Sequence, residues 1–574
     1  MMTGRAALVL LGLYAQLAVC GPGIADQIRV LGPQAVNLWR LQNQHAARVR
    51  PRAQDPLLVQ GQDGREDYPV SNAQAESKWG GVFPERWFEQ PLDHFAEGKG
   101  AQAETETWRQ RYWVNTRHYV PGPDAPVFVI DGGETSGEDR LGFLDTGIAD
   151  ILARATGGVG VVLEHRYYGE SRPVKNLTTD SLRFLNNAQS AADSANFMAN
   201  VKFPGIDEDL TAPNHPWIYY GGSYAGARAA HMKVLYPDLV WGAVASSGVT
   251  HASIENWEYM EIVRRAADLK CSGNIQLTVE IVDSLLANPV TGRPIKGLFG
   301  LADLEHNEDF MSLLESPLGH WQGRNWDPEV GTTGWDDFCA ALDGKFVQDP
   351  DMEFVSYDEG MDMVTIAEDL MVPVPVYNYA RYIKQNYVSL CPEGAVEECF
   401  GTYDDSKYHD TDLDQIWRLW LFQVCTEWGY FSTAPPKGHP RIVSRLLTLE
   451  YESKICRQAY LPGKHFAVPA LPNITAVNAL GDFDIAADRL AIIDGEVDPW
   501  RPVTPHSDYA RAREDTILRP FKLIRGGVHH WDENGRRNLL EEPAQIQMIH
   551  EDIVVFVTAW LDDWAAERAA RARA

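Results

Sequence analysis

The sequence predicts an α/β fold, a mostly parallel doubly wound sheet interrupted by a mostly helical inserted subdomain. Three observations predict it. Short apolar runs alternate with helix-spaced segments between residues 125 and 245, a Trp- and acid-rich helix-like stretch follows, and strand patterns return near residue 490 before a closing helix.

The chain opens with Arg5, an apolar run from Ala6 to Val19 and then small residues, the outline of a signal peptide over residues 1–20. Cleavage after Cys20 and cleavage after Ala25 both fit. The run is too short for a membrane span, and no later stretch reaches the ~18 apolar residues that crossing requires, so no membrane partner is expected. Residues 21–80 are polar and weakly periodic, which reads as an N-terminal extension.

Residues 81–253 carry the first part of the sheet. Ala125–Ile130 ends in Asp131-Gly-Gly-Glu134 and Val159–Leu163 ends in Glu164-His-Arg, both in the manner of buried parallel strands. Phe143–Ala155 between them has helical spacing. A helix over Ser181–Val201, a strand over Pro216–Tyr220, a helix over Ala225–Tyr236 and a strand over Val240–Ala245 continue the alternation.

Residues 254–475 read as the helical cap. Apart from Cys20 at the leader, every cysteine lies there: Cys271, Cys339, Cys391, Cys399, Cys425 and Cys456. An even set behind a leader predicts disulfides, and the short Cys391 to Cys399 loop is the one pairing that the spacing suggests. The sheet resumes over residues 476–574 with Leu490–Ile493 and Phe521–Ile524. A last helix follows, in which Ile546, Ile549, Ile553, Phe556 and Trp560 form one apolar stripe.

At 574 residues the chain exceeds one ordinary core, and 45% hydrophobic with 23% charged residues is a globular composition. Acidic residues outnumber basic ones by 80 to 51, for a net charge of −29, which argues against nucleic acid as a partner and suits work in acid. No zinc-like Cys/His spacing occurs, so no metal and no cofactor are expected. Asn176 and Asn473 head glycosylation sequons, meaningful if the chain is secreted or enters a vacuolar or lysosomal lumen.

Gly221-Gly-Ser-Tyr-Ala-Gly226 lies where a strand hands over to a helix, the place at which a sharp turn projects a nucleophilic serine, Ser223. A hydroxyl needs an imidazole oriented by a carboxylate. Asp498 follows the Leu490 strand, with Asp494 as its competitor. His529 follows the Phe521 strand, with His530 as its competitor, and composition does not separate either pair. The Tyr224 N–H is a candidate oxyanion donor, and Gly133 is the choice for the second. Glu427 reads either as a binder of a substrate amine or as a cap on the insertion.

Several separated segments resemble the prolyl carboxypeptidase and dipeptidyl-peptidase II family of serine peptidases: Phe88-Glu-Gln-Pro-Leu-Asp-His-Phe95, Glu164-His-Arg-Tyr-Tyr-Gly-Glu-Ser171, Gly221 to Gly226, Trp420 to Gly429, Asp498-Pro-Trp500 and Gly527-Val-His-His-Trp-Asp532. The resemblance implies an α/β-hydrolase fold with a helical insertion and hydrolysis of peptides, commonly after proline. It implies Ser223 as nucleophile, Asp498 as triad acid, His529 as base and Trp500 as a wall of the proline pocket. Departures are Ala225 where the family usually has Gly, Asp494 where Asn is frequent, and Trp531 where Leu is common. Expected partners are proline-containing peptides and a second copy of the chain in a homodimer. A lipase or esterase on the same fold, or an inactive binding protein, are the alternatives.

Overall fold

The computed structural model describes residues 81–96, 106–352 and 354–573, so the expected signal peptide (1–20) and the expected N-terminal extension (21–80) lie outside the described residues. Eight strands form the main sheet: β1 (Arg86–Pro91), β2 (Thr107–Asn115), β3 (Val127–Asp131), β4 (Val159–Leu163), β5 (Trp217–Gly222), β6 (Gly242–Ser246), β7 (Leu490–Gly495) and β8 (Phe521–Ile524). Their order is β1-β2-β4-β3-β5-β6-β7-β8. The first two pairings are antiparallel and all later ones parallel.

A parallel run is stable only if both faces are covered. One face packs on α1 (Ile148–Thr156) and, with its predicted stripe inward, on the final helix; these join Phe128, Ile130, Val162, Ile218, Val244 and Ile493 in one core. The other face packs on α2 (Asn187–Asn200) and α3 (Tyr224–Leu235), through Phe197, Met198, Ala229 and Met232 against Val127, Val161 and Tyr219. This is the α/β-hydrolase fold. The two antiparallel strands carry no simple apolar pattern, because β2 buries Gln110 and Arg111. Gln110 donates to the Glu164 carbonyl at 2.8 Å, and Arg111 grips the Glu164 carboxylate at 2.8 and 3.1 Å.

Between β6 and β7 the chain leaves the sheet and builds the insertion from helices such as Leu269–Leu286, Val374–Asn386 and Leu449–Ala459. It also contains what its helical spacing hid. Ser356–Asp358, Met363–Ala367 and Leu370–Pro373 form a small antiparallel sheet, and Gly429–Phe431 pairs with Ser253–Glu255. Cys391 is joined to Cys399, as the spacing suggests, and Cys271–Cys339 and Cys425–Cys456 complete the set. The insertion's core is continuous with Tyr224, Trp500 and Val528, so it packs directly over the turns at one end of the parallel strands.

Candidate active site

Ser223 sits between β5 and α3 at φ 61° and ψ −124°, a backbone conformation that costs a residue with a side chain of order 1–3 kcal/mol. The surroundings hold it there. Its N–H donates to the Ser246 carbonyl at 2.9 Å, and its own carbonyl accepts from Ala227 at 3.0 Å. The turn is tight enough that a Cβ on Gly226 would fall 2.5 Å from the Ser246 oxygen, which is why the small residue cannot be dispensed with there, whereas position 225 accepts a methyl.

Tyr224 is the first residue of α3, so its N–H has no carbonyl one turn back within the helix. Its ring is wedged against Trp420 and Trp428 at 5.2 and 5.1 Å. Its hydroxyl accepts from Gln423 at 2.8 Å and lies 3.0 Å from Nε2 of His165. Burial, with Arg228 nearby, lowers the His165 pKa to about 3. The ring is therefore neutral. Nδ1 faces the Arg166 carbonyl at 2.8 Å and so carries the proton, leaving Nε2 to accept from Tyr224.

Asp498 and His529 come from the loops after β7 and β8. Asp498 is fully buried; one oxygen accepts the Trp500 N–H at 2.9 Å and the other meets Nδ1 of His529 at 2.9 Å. The two loops touch through backbone. Val497 donates to the Gly527 carbonyl at 3.0 Å, and a Cβ on Gly495 would lie 1.9 Å from the Val528 oxygen. The far nitrogen of His529, Nε2, is buried and has no hydrogen-bond partner, the Ser223 hydroxyl included.

The family model described as Serine carboxypeptidase S28 matches residues 90–325 and 336–550. The chain belongs to this family of serine peptidases. Among relatives of this S28 peptidase, the protein named "Probable extracellular serine carboxypeptidase" from Arthroderma benhamiae is 39% identical over 500 residues, covering 84% of this chain and 68% of that one. Serine protease vicPa of Bipolaris victoriae is 26% identical, and the thymus-specific serine protease of Mus musculus is 28% identical; each alignment covers 84% of this chain and 89% of the relative. Family membership favours a peptidase over the esterase and binding-protein alternatives.

In this S28 peptidase both competitors are committed elsewhere. Asp494 accepts from Nδ1 of His506 at 2.6 Å and from Thr504 at 2.8 Å, and the His506 ring stacks on Phe521 at 3.7 Å. His530 adopts φ 37°, donates its N–H to Ser247 at 2.9 Å and turns its ring to Glu533 at 3.1 Å. Burial opposes charge on that ring, but the Glu533 carboxylate outweighs it and raises the pKa.

The expectation for Gly133 needs correction. Its backbone adjoins Ala225, but its N–H already donates to Asp131 at 2.9 Å and is not presented to an incoming oxygen. Trp500 packs edge-on against Tyr259 and Tyr430 at 5.3 and 5.2 Å, with its indole N–H on Gln322 at 2.9 Å. Glu427 caps α2 of the sheet by accepting the Asn187 N–H at 2.9 Å, and burial raises its pKa to about 7. The Asn176 and Asn473 side chains are exposed. Among the described residues no group of three or more His, Cys, Asp or Glu side chains could hold a metal ion, and no helix is long and apolar enough to cross a membrane.

Sequence reasoning missed Gly495, whose bare α-carbon lets the two loops meet.

Proposed function

We propose that this peptidase cleaves peptides after proline through a triad of Ser223, His529 and Asp498. The observation that carries the reading is the 2.9 Å Asp498–His529 hydrogen bond with the opposite ring nitrogen buried and unengaged, on the same sheet edge as the strained Ser223 turn. Nucleophile-to-base contacts commonly tighten only when substrate arrives.

In the proposed reaction Nε2 of His529 takes the Ser223 proton as Oγ attacks the scissile carbonyl. Asp498 fixes Nδ1–H and balances the imidazolium. The oxyanion forms against the Tyr224 N–H, reinforced by the positive end of α3. His529 then protonates the leaving amine, and water, activated by the same nitrogen, releases the acyl group. Trp500 with Tyr259 and Tyr430 supplies flat apolar surface suited to a pyrrolidine ring, as the resemblance implies.

Secretion is inferred from the leader-like residues 1–20, the three disulfides and the likeness to the A. benhamiae relative, which is named as extracellular. The acidic composition supports a rate optimum below neutrality. The test is mass spectrometry of the products from a mixed peptide library across pH, with wild type and Ser223→Ala side by side. Cleavage after proline, highest in acid and lost in the variant, is expected; undiminished cleavage by the variant would discard the triad.

A further inference from the structure

Tyr224 belongs to two parts of the molecule at once. Its N–H is the first of α3, next to Ser223 in the chain, while its side chain reaches the insertion. Trp420 and Gln423 come from the helix Trp417–Gln423, and Trp428 ends the wider turn Val424–Trp428 that follows. The two indoles bracket the Tyr224 ring and Gln423 meets its tip. Between them Cys425 ties the turn to Cys456, in the helix Leu449–Ala459.

The Tyr224 hydroxyl is the middle of a hydrogen-bond chain that crosses from the sheet domain to the insertion and back. The Tyr168 hydroxyl donates to Oε1 of Gln423 at 2.6 Å, Nε2 of Gln423 donates to the Tyr224 oxygen at 2.8 Å, and that hydroxyl donates to Nε2 of His165 at 3.0 Å. His165 ends the chain through Nδ1–H on the Arg166 carbonyl at 2.8 Å. Tyr168 and His165 belong to the loop after β4, and all four side chains are buried. With the Gln423 amide turned over, the Tyr224 proton would face two acceptors and satisfy one, so a single arrangement of protons fits. The chain is also neutral. Burial, with Arg228 nearby, holds His165 near 3, burial lifts Tyr224 to about 12, and burial takes Tyr168 well above its ordinary value. The charged groups around it, Arg228, Asp131, Asp193, Glu134 and Glu427, leave no member ionised where a histidine base works.

Resting on the oxyanion role given above to the Tyr224 N–H, we propose that Gln423 is a positioning residue: through the Tyr224 hydroxyl it fixes that N–H, so that the insertion completes the oxyanion site of the sheet domain. A backbone as strained as that of Ser223 persists only where its surroundings over-determine it, and the neighbouring ring, wedged between two indoles and tethered at its tip, is such a constraint. Without the tether the ring and the main chain that carries it gain play. The donor then meets the developing charge less well, while the peptide binds as before. The loss therefore falls on kcat and not on KM.

The experiment uses the whole enzyme, with active sites counted by complete fluorophosphonate labelling of Ser223. Three probes are compared: the best-cleaved peptide of the library, the acid that its cleavage releases, and the aldehyde of that same acyl half, whose oxygen takes the oxyanion's place once Ser223 adds to it. Tyr224→Phe deletes the hydroxyl and Gln423→Met the amide. Each should lower kcat per labelled site and affinity for the aldehyde together by about 10- to 100-fold, with KM and affinity for the acid within about twofold of wild type. The double variant should lose no more than the single ones, since both cut the same bond. If Gln423→Met does not fold, Tyr224→Phe decides alone. Unchanged kcat in either folded variant would overturn the proposal. So would equal losses of aldehyde and acid affinity, which would make the chain a wall of the pocket, or losses that multiply in the double variant. A wild type whose Ser223 takes no label would instead refute the triad itself.

Discussion

Two aspartate–histidine pairs leave the same strand end four residues apart, and only one of them is built like a catalytic base. Asp494–His506 is the shorter at 2.6 Å, against 2.9 Å for Asp498–His529, so hydrogen-bond length does not distinguish them. The far side of each ring does. His506 lies flat on Phe521, which fixes a loop, whereas His529 keeps a buried nitrogen unengaged beside the serine turn. An imidazole tied to a carboxylate is therefore only half of a proton relay; the other half is a nitrogen with something left to do.

The comparison breaks if activity does not divide along the same line. Ser223→Ala should reduce kcat by about a millionfold, read with a proline reporter peptide in an enzyme of unchanged circular dichroism. Asp498→Asn should cost roughly 10⁴-fold by favouring the wrong tautomer, while Asp494→Asn leaves kcat within several-fold of wild type. Were the two asparagine variants to trade places, the acid would be misassigned. His506→Gln tests the structural pair from the other side: a weakened bond to a buried carboxylate should lower unfolding free energy by about 1–3 kcal/mol in denaturant titrations, with KM unaffected.

The smallest effect concerns what holds the His529 loop. Asp532 accepts from Ser246 at 2.6 Å and from the Tyr220 hydroxyl, and burial raises its pKa from 3.8 to about 6. Folding thus favours its neutral form. Its contribution to stability is fully present below the unfolded value near 3.8 and is lost as pH rises toward 6. Asp532→Asn should remove that part of the slope, so the melting temperature of the variant should gain on wild type between pH 4 and 6 by about a degree or more.

The parallel strands were legible because burial on both faces writes them as apolar runs, and the serine turn was legible because its crowding admits only small residues around it. The choice between His529 and His530 was not. It depends on a left-handed backbone at His530 and on a contact from Ser247, some 280 residues away in sequence. β2 escaped notice because its interior is polar and satisfied by Glu164, so that hydrogen bonds do the work a hydrophobic pattern would have advertised. Cys391–Cys399 could be read from a short loop, but Cys271–Cys339 and Cys425–Cys456 span 68 and 31 residues and follow only from how the helices pack.

The bare α-carbon of Gly495 against the Val528 carbonyl means that the Asp498 and His529 loops keep their register by main chain meeting main chain, with no side chain between to repack. One methyl group at a position without any chemistry of its own would wedge the loops apart and silence the enzyme. A random-mutagenesis screen for folded but inactive clones would therefore recover position 495 alongside Ser223, Asp498 and His529 of the proposed triad, and an engineer redesigning the pocket should treat it as untouchable.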